Sequence, residues 1–236
     1  MIEVAFLGTG SAMVTGRYNS CFLIKQKDHS LLVDCGGGHE ILKQFEENKV
    51  SIENIDTIFV SHSHVDHILG FPFLFREMIT AQKKMKVICS TLVKKDIELL
   101  LMMDIPKCVE ENKHLLDFQV IDEDQKYREF QFFKVDERQH GFILEEDGQR
   151  LVFSGDAPLR DDIIKGCDVL ICEAFCSKSD DITITGTHGT IEGVLGFAEK
   201  KDIKKKVITH TFTDLSRFRS EKVIVPNDGD IVRVFD

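Results

Sequence analysis

The chain has 236 residues, of which 42% are hydrophobic and 30% charged. That is ordinary globular usage at a length suited to one large α/β domain, which excludes a disordered chain and one that needs disulfides in order to fold. Asp and Glu outnumber Lys and Arg by 40 to 30, a formal net charge of −10, which excludes an overall basic footprint for long nucleic acid.

The first twelve residues carry no basic segment and no 7–15-residue apolar run, so no secretory signal is expected there. Strand-like runs follow one another at Ile2–Leu7, Cys21–Lys25 and Ser30–Val33, and helical spacing appears at Ile41, Leu42 and Phe45. Next come a strand at Asp56–Val60, a helix over Ile68–Ala81, a strand at Lys86–Cys89 and a helix over Val93–Met103. Phe130, Phe132 and Val135 mark an apolar run, and Phe142–Leu144 and Arg150–Phe153 flank the turn-forming Glu145-Glu146-Asp147-Gly148 as a hairpin. A strand at Val169–Cys172, a helix over Ile191–Lys200, a strand at Lys206–Thr209 and a last strand at Ile231–Phe235 complete the chain. Hairpins mixed with strand–helix alternation predict mixed sheets with helices packed outside, a layered α/β architecture.

No stretch approaches the roughly 20 apolar residues that span a bilayer, so no membrane partner is expected. Seven cysteines are scattered without a C-x-x-C pair, which speaks against a zinc knuckle and reads as free thiols of a cytoplasmic protein. Gly8, Gly10, Gly36, Gly37 and Gly38 lack the spacing of a dinucleotide fingerprint and no Walker lysine follows them, so they read as tight turns.

The chemistry concentrates in Ser61-His62-Ser63-His64-Val65-Asp66-His67, directly after the apolar Thr57-Ile58-Phe59-Val60. Three of the nine histidines fall within six residues there. In an extended loop His62 and His64 point the same way, because side chains alternate with period two, so one metal can take both. Asp66 and His67 lie one turn further on and can serve a second. His140, Asp156 and His210 sit beyond other strand-like runs, where strand ends gathered on one sheet edge assemble a site. His29, His39 and His114 have no partner pattern and are read as surface.

H-x-H-x-D-H, a later His, a later Gly-Asp and a last His after a strand resemble the metallo-β-lactamase superfamily, and within it the branch of ribonuclease Z and related phosphodiesterases. Phe6-Leu7-Gly8-Thr9-Gly10-Ser11-Ala12, Arg17-Tyr18-Asn19-Ser20 and Leu32-Val33-Asp34-Cys35-Gly36 are similar to that branch. So is Glu173-Ala174-Phe175, with Cys172 where the branch has His, and so is Thr187-His188-Gly189-Thr190. The resemblance implies one hydrolase domain over 1–236, folded as a four-layer αββα sandwich. It implies two divalent metal ions, zinc first with manganese, iron or nickel compatible. The first takes His62, His64 and His140, the second takes Asp66, His67 and His210, and Asp156 bridges them. Asp66 and His188 are the catalytic residues so implied, His188 as proton donor to the leaving oxygen or as a phosphate contact. The nucleophile would be a hydroxide held by the dinuclear metal site.

Ribonuclease Z proteins carry a long tRNA-gripping arm between the third His motif and the bridging Asp. Here only Gly141 to Gly155 lie between His140 and Asp156, and the family's P-x-K-x-R-N stretch is not evident. The expected activity is therefore a metal-dependent phosphodiesterase on a small, cyclic or short-chain phosphodiester or on short RNA, with homodimerisation left open. Three alternatives stay in view: a tRNA 3′-processing endonuclease without the usual arm, a thioesterase or lactonase of the glyoxalase II type, and a non-enzymatic metal-binding protein.

Overall fold

The computed structural model describes residues 2–180, 182 and 188–235. The first half runs β1 (Ile2–Gly8), β2 (Cys21–Lys25), β3 (Ser30–Val33), α1 (Glu40–Glu47), β4 (Thr57–Phe59), α2 (Val65–Ile68), α3 (Phe71–Ala81), β5 (Met85–Cys89), α4 (Thr91–Asp104), α5 (Pro106–Asn112) and β6 (Leu116–Val120). The second runs β7 (Gln125–Tyr127), β8 (Phe130–Lys134), β9 (His140–Glu146), β10 (Gln149–Phe153), β11 (Val169–Glu173), α6 (Ile191–Lys200), β12 (Lys205–Thr209), β13 (Val223–Ile224) and β14 (Ile231–Phe235).

These strands build two seven-stranded sheets, ordered β14-β1-β2-β3-β4-β5-β6 and β13-β12-β11-β10-β9-β8-β7. Each sheet is mixed. β3 to β6 are parallel in the first, and β10 to β13 in the second, with antiparallel hairpins beside them. The inner faces meet in a phenylalanine-rich core. Phe6, Phe22, Phe59, Phe130, Phe132, Phe142 and Phe153 are all buried there, and the Phe59 ring lies 4.8 Å from that of Phe132 and 5.8 Å from that of Phe142. Alternation on a strand sends every second side chain to the other face. On β8, Phe130 and Phe132 therefore enter this core while Phe133 joins the outer core of Val152, Leu170 and Ile208 under α6. On the far side, Leu32, Ile58 and Val87 pack beneath Ile41, Phe45, Leu74, Phe75 and Ile97 of α1, α3 and α4. The result is the expected αββα sandwich.

Parallel strands end together, and here they end on one edge. The chain leaves β3 and β4 there at Asp34 and Ser61, and leaves β10, β11 and β12 there before Asp156, at Glu173 and before His210. His140 reaches the same edge from the other direction. It opens β9 instead of following a strand, and since β9 runs antiparallel to β10, its start lies beside the end of β10.

Two sequence expectations need correction. The helix expected over Ile68–Ala81 is broken: α2 ends at Ile68 and α3 starts at Phe71. Gly70 sits in the break with its N–H donating to Gly36 O at 3.0 Å, and a Cβ there would overlap the carbonyl oxygen of Cys35. His29 is not a surface residue. It is 5% exposed, wedged edge-on against Tyr127 and Phe130 of the second sheet, whereas His39 and His114 are exposed as expected. Between α4 and β8, where the sequence reading names no element, the chain forms α5, β6 and β7. Between His140 and Asp156 the chain forms the plain hairpin anticipated. Its loop is only Asp147-Gly148, both at positive φ, as a two-residue hairpin turn requires.

Candidate metal centre

The loop after β4 owes its shape to Asp34. That carboxylate, buried at the end of β3, accepts from Ser61 N at 2.8 Å, Ser61 Oγ at 2.9 Å and His67 Nδ1 at 2.8 Å. A carboxylate only accepts, so the single hydroxyl proton of Ser61 goes to Asp34. Ser61 Oγ must then accept from His62 Nδ1, which lies 3.0 Å away. The proton inventory thus places a hydrogen on Nδ1 of both His62 and His67 and turns Nε2 of each inward. Orienting an imidazole through its other nitrogen is the usual second support of a metal ligand.

The inward nitrogens meet carboxylates. Asp156 Oδ2 lies 2.9 Å from His67 Nε2, 3.0 Å from His210 Nε2 and 3.8 Å from His62 Nε2. Asp66 Oδ2 lies 3.0 Å from His210 Nε2 and 3.5 Å from His67 Nε2. His62, His67 and Asp156 form one cluster with donor atoms within 4.8 Å of one another, and Asp66, His67 and His210 form a second. Asp156 touches members of both. His64 is exposed, with Nδ1 3.0 Å from His62 Nε2. His140 is buried beside the same loop and donates its backbone N–H to Ser61 O at 3.0 Å. Glu173, His188 and His210 form a third such cluster, and neither His64 nor His140 joins any of the three.

His210 is braced from the first sheet. Its backbone adopts φ 51°, a left-handed conformation that costs a non-glycine residue on the order of 1 kcal/mol or more. Neighbours hold it there: Thr211 N donates to Thr9 O at 3.0 Å, Ser11 N donates to Thr211 O at 3.2 Å, and the Arg17 guanidinium reaches the carbonyls of Thr211 and Thr213 at 3.0 and 3.3 Å.

Beside this cage stands His188. Its Nδ1 donates to Glu173 Oε2 at 2.6 Å, and the other Glu173 oxygen accepts from Gly189 N at 3.1 Å. Nε2 is thereby left as the outward nitrogen. Glu173 also lies 3.5 Å from His210 Nδ1. Thr187, the first residue of the motif quoted above, lies outside the described residues.

The electrostatics favour positive charge at the centre. Burial opposes charge on Asp66 and Asp156, yet the imidazoles of His210 and His67 hold both carboxyls well below the usual carboxylate range. Burial also opposes protonation of His67 and His210, and the surrounding carboxylates, Asp156 foremost, overcome it and raise both. His62, packed against His67, and His140 are pushed down by burial. Hydrogen bonding to Glu173 raises His188. A bound cation fits such a cage, supplying the positive charge while the imidazoles stay neutral. A second sign is His140: among the described residues neither of its buried ring nitrogens has a hydrogen-bond partner. Imidazole with carboxylate is a donor set suited to zinc and to neighbouring divalent metals.

A family model described as "Anti-Pycsar protein Apyc1" matches residues 2–222. The chain belongs to that family. Outside the Apyc1 family model, the chain is 44% identical to Ribonuclease Z of Clostridium novyi over 73 residues and 36% identical to Ribonuclease Z of Metallosphaera sedula over 78 residues. Those stretches cover 30% and 33% of this chain and 23% and 26% of the relatives, so the chain spans about a quarter of the length of the curated relatives it matches. Among solved structures, the short form of human tRNase Z superposes with a TM-score of 0.76 at 19% identity, covering 99% of this chain and all of that one. Zn(2+)-bound PqqB from Methylobacterium extorquens gives 0.76 at 16% identity, covering 98% and 100%. These neighbours establish the metallo-β-lactamase fold, and the ribonuclease Z-like resemblance read from the motifs is borne out.

Two supports were missed as site residues. Asp34 fixes His67 and Ser61, and Glu173 fixes His188. Each carries the signal that found Asp156, a carboxylate at or just past the end of an apolar strand.

Proposed function

We propose that this Apyc1-family chain is a metal-dependent hydrolase, a phosphodiesterase acting on a small, cyclic or short-chain phosphodiester or on short RNA. The observation that carries the reading is the Glu173–His188 pair standing beside the His/Asp cage. A thioester expels a thiolate, which needs no proton donor, and a lactone expels an alkoxide but carries no negative charge for bound cations to offset. A phosphodiester presents both a negative charge to neutralise and an alkoxide to protonate. His62, His64 and His140 would hold one metal and Asp66, His67 and His210 another, with Asp156 between. Two bound divalent cations would supply a water acidic enough to attack at neutral pH and would offset the charge of the phosphodiester. Asp66 orients the ligand set through His210 and His67, and His188 donates a proton from Nε2 to the leaving oxygen.

Substrate size is argued from shape and charge. A cleft of about 250 Å³ opens at Glu173 and His188, between Pro158 and Leu159 on one side and Val194 and Phe197 of α6 on the other. It suits a small group. The short β9–β10 hairpin occupies the place where the resemblance puts a tRNA-gripping arm, and a net charge of −10 does little for phosphate contacts.

The test is a substrate panel on protein loaded with zinc or manganese: alkyl and nitrophenyl phosphodiesters, cyclic phosphodiesters, a short oligoribonucleotide, a tRNA precursor with a 3′ trailer, a thioester and a lactone. The small phosphodiesters should turn over fastest. Site-specific trailer removal as the best reaction would install the tRNA-processing alternative. A thioester or lactone in first place would overturn the phosphodiesterase reading, and no turnover of any substrate would favour a metal-binding protein without catalysis.

A further inference from the structure

Four near-parallel rings run through the site in the order Phe212, Phe175, His188, His210. Phe175 lies 4.9 Å from Phe212 at an interplanar angle of 7° and 4.8 Å from His188 at 18°, and His188 lies 5.5 Å from His210 at 23°. We infer that Phe175 is a positioning residue that sets the ring plane of His188 and so aims its Nε2 at the leaving oxygen. The inference rests on the reading of His188 as proton donor given above.

The reasoning begins with what Glu173 leaves undone. A hydrogen bond from Nδ1 fixes one edge of the imidazole, yet the ring can still pivot about that contact. A flat face against the ring removes the pivot, and Phe175 provides it. Phe175 is itself held by its backbone. It follows β11 directly after Ala174, its N–H donates to Gly189 O at 2.9 Å, and its carbonyl accepts from Phe212 N at 2.7 Å and Thr213 N at 3.3 Å. One residue thereby ties the segment of His188 to the segment after His210. Its ring is also free of another duty. Phe175 and Phe212 are half-buried and belong to none of the three hydrophobic cores, so filling the interior does not explain two stacked phenyl rings here.

A proton donor aimed wrongly loses rate only where protonation matters. Phe175→Leu keeps the backbone bonds and an apolar side chain but removes the flat face. With an alkyl leaving group, kcat should fall about tenfold or more, because small misplacements of a catalytic group cost rate steeply. KM should stay within about twofold, and the rate with a nitrophenolate leaving group within about threefold, since that oxygen needs little protonation. Metal content should not change. Phe175→Tyr, which keeps the ring face, should restore the alkyl reaction. Adding Phe175→Leu to His188→Ala should cost nothing further, because both act through one imidazole. The readout is the ratio of the two rates, which a general loss of folded protein does not move.

Equal losses on both leaving groups, loss of metal, or an unchanged ratio would overturn the role of Phe175. His188→Ala, measured in parallel, separates this from the underlying reading. If it shows no leaving-group dependence, His188 is not the proton donor. If it does while Phe175→Leu does not, only the positioning role fails.

Discussion

Asp156 is the side chain on which both halves of the cage depend. Its Oδ2 is within 3.0 Å of His67 and His210 and 3.8 Å from His62, so one substitution strips a carboxylate from both clusters at once. If two metals bind as proposed, Asp156→Ala should lower metal content from two equivalents toward zero by elemental analysis, since it also removes the charge that offsets repulsion between neighbouring cations. His188→Ala should behave in the opposite way. It touches the cage by stacking on His210 and is held by Glu173, so the metal content of the parent should remain while the rate on an alkyl phosphodiester falls by about 10²-fold or more. A variant that lost metal would make His188 a ligand. On the proposed reading the two residues separate holding the metal from moving the proton, one following β10 and the other preceding α6.

Secondary structure reaches the site through one joint, the break between α2 and α3. Asp66 and His67 lie on the single turn of α2, and Gly70 lets the chain step close to Cys35 before α3 begins. At φ −72° Gly70 has a conformation alanine adopts freely, so Gly70→Ala should cost only through its clash with backbone, about 1–3 kcal/mol in a urea titration, with weaker metal binding. Gly196 in α6, with open space around it, is the contrasting case: Gly196→Ala should stabilise by about 0.5–1 kcal/mol. The apolar period of Ile68, Phe71, Leu74, Phe75 and Met78 runs on through the break, yet Gly70 and Pro72, the latter in the first turn of α3, mark it in the sequence. β6 carries a period-two signal, Leu116, Phe118 and Val120 alternating with Asp117 and Gln119, that the sequence reading above does not use. β7 and β13, at three and two residues, are too short to carry a period. The His/Asp loop could be read locally because its residues are adjacent. Asp34 and Glu173 could not be ranked as supports until strands far apart in sequence were laid side by side.

Across the whole molecule, the packing of the two sheets makes stability depend on pH at a point remote from the cage. His29, in the turn between β2 and β3 of the first sheet, is buried against Tyr127 and Phe130 of the second, with Asp56 3.6 Å away and Arg128 and Glu129 nearby. Burial, helped by Arg128 and opposed by Asp56 and Glu129, lowers its pKa below the ordinary value of about 6.5. The unfolded chain then takes up a proton that the folded one refuses. This contribution to stability is full above about pH 6.5 and is lost as pH falls from there toward the depressed folded value. His29→Phe keeps the ring contacts and removes the titration, so its midpoint of unfolding should fall less between pH 7 and pH 5 than that of the parent. The cage itself has a mechanical side. Asp66 and His210, which meet at 3.0 Å, are 144 residues apart in the chain, and all seven cysteines are free. A metal gripping both would close a loop longer than half the protein, and cross-linking so long a loop restricts the unfolded chain as a disulfide would. A protein with no covalent staple would thus take its long-range one from the cofactor, so that chelation would loosen the seam between the sheets as well as silence the chemistry.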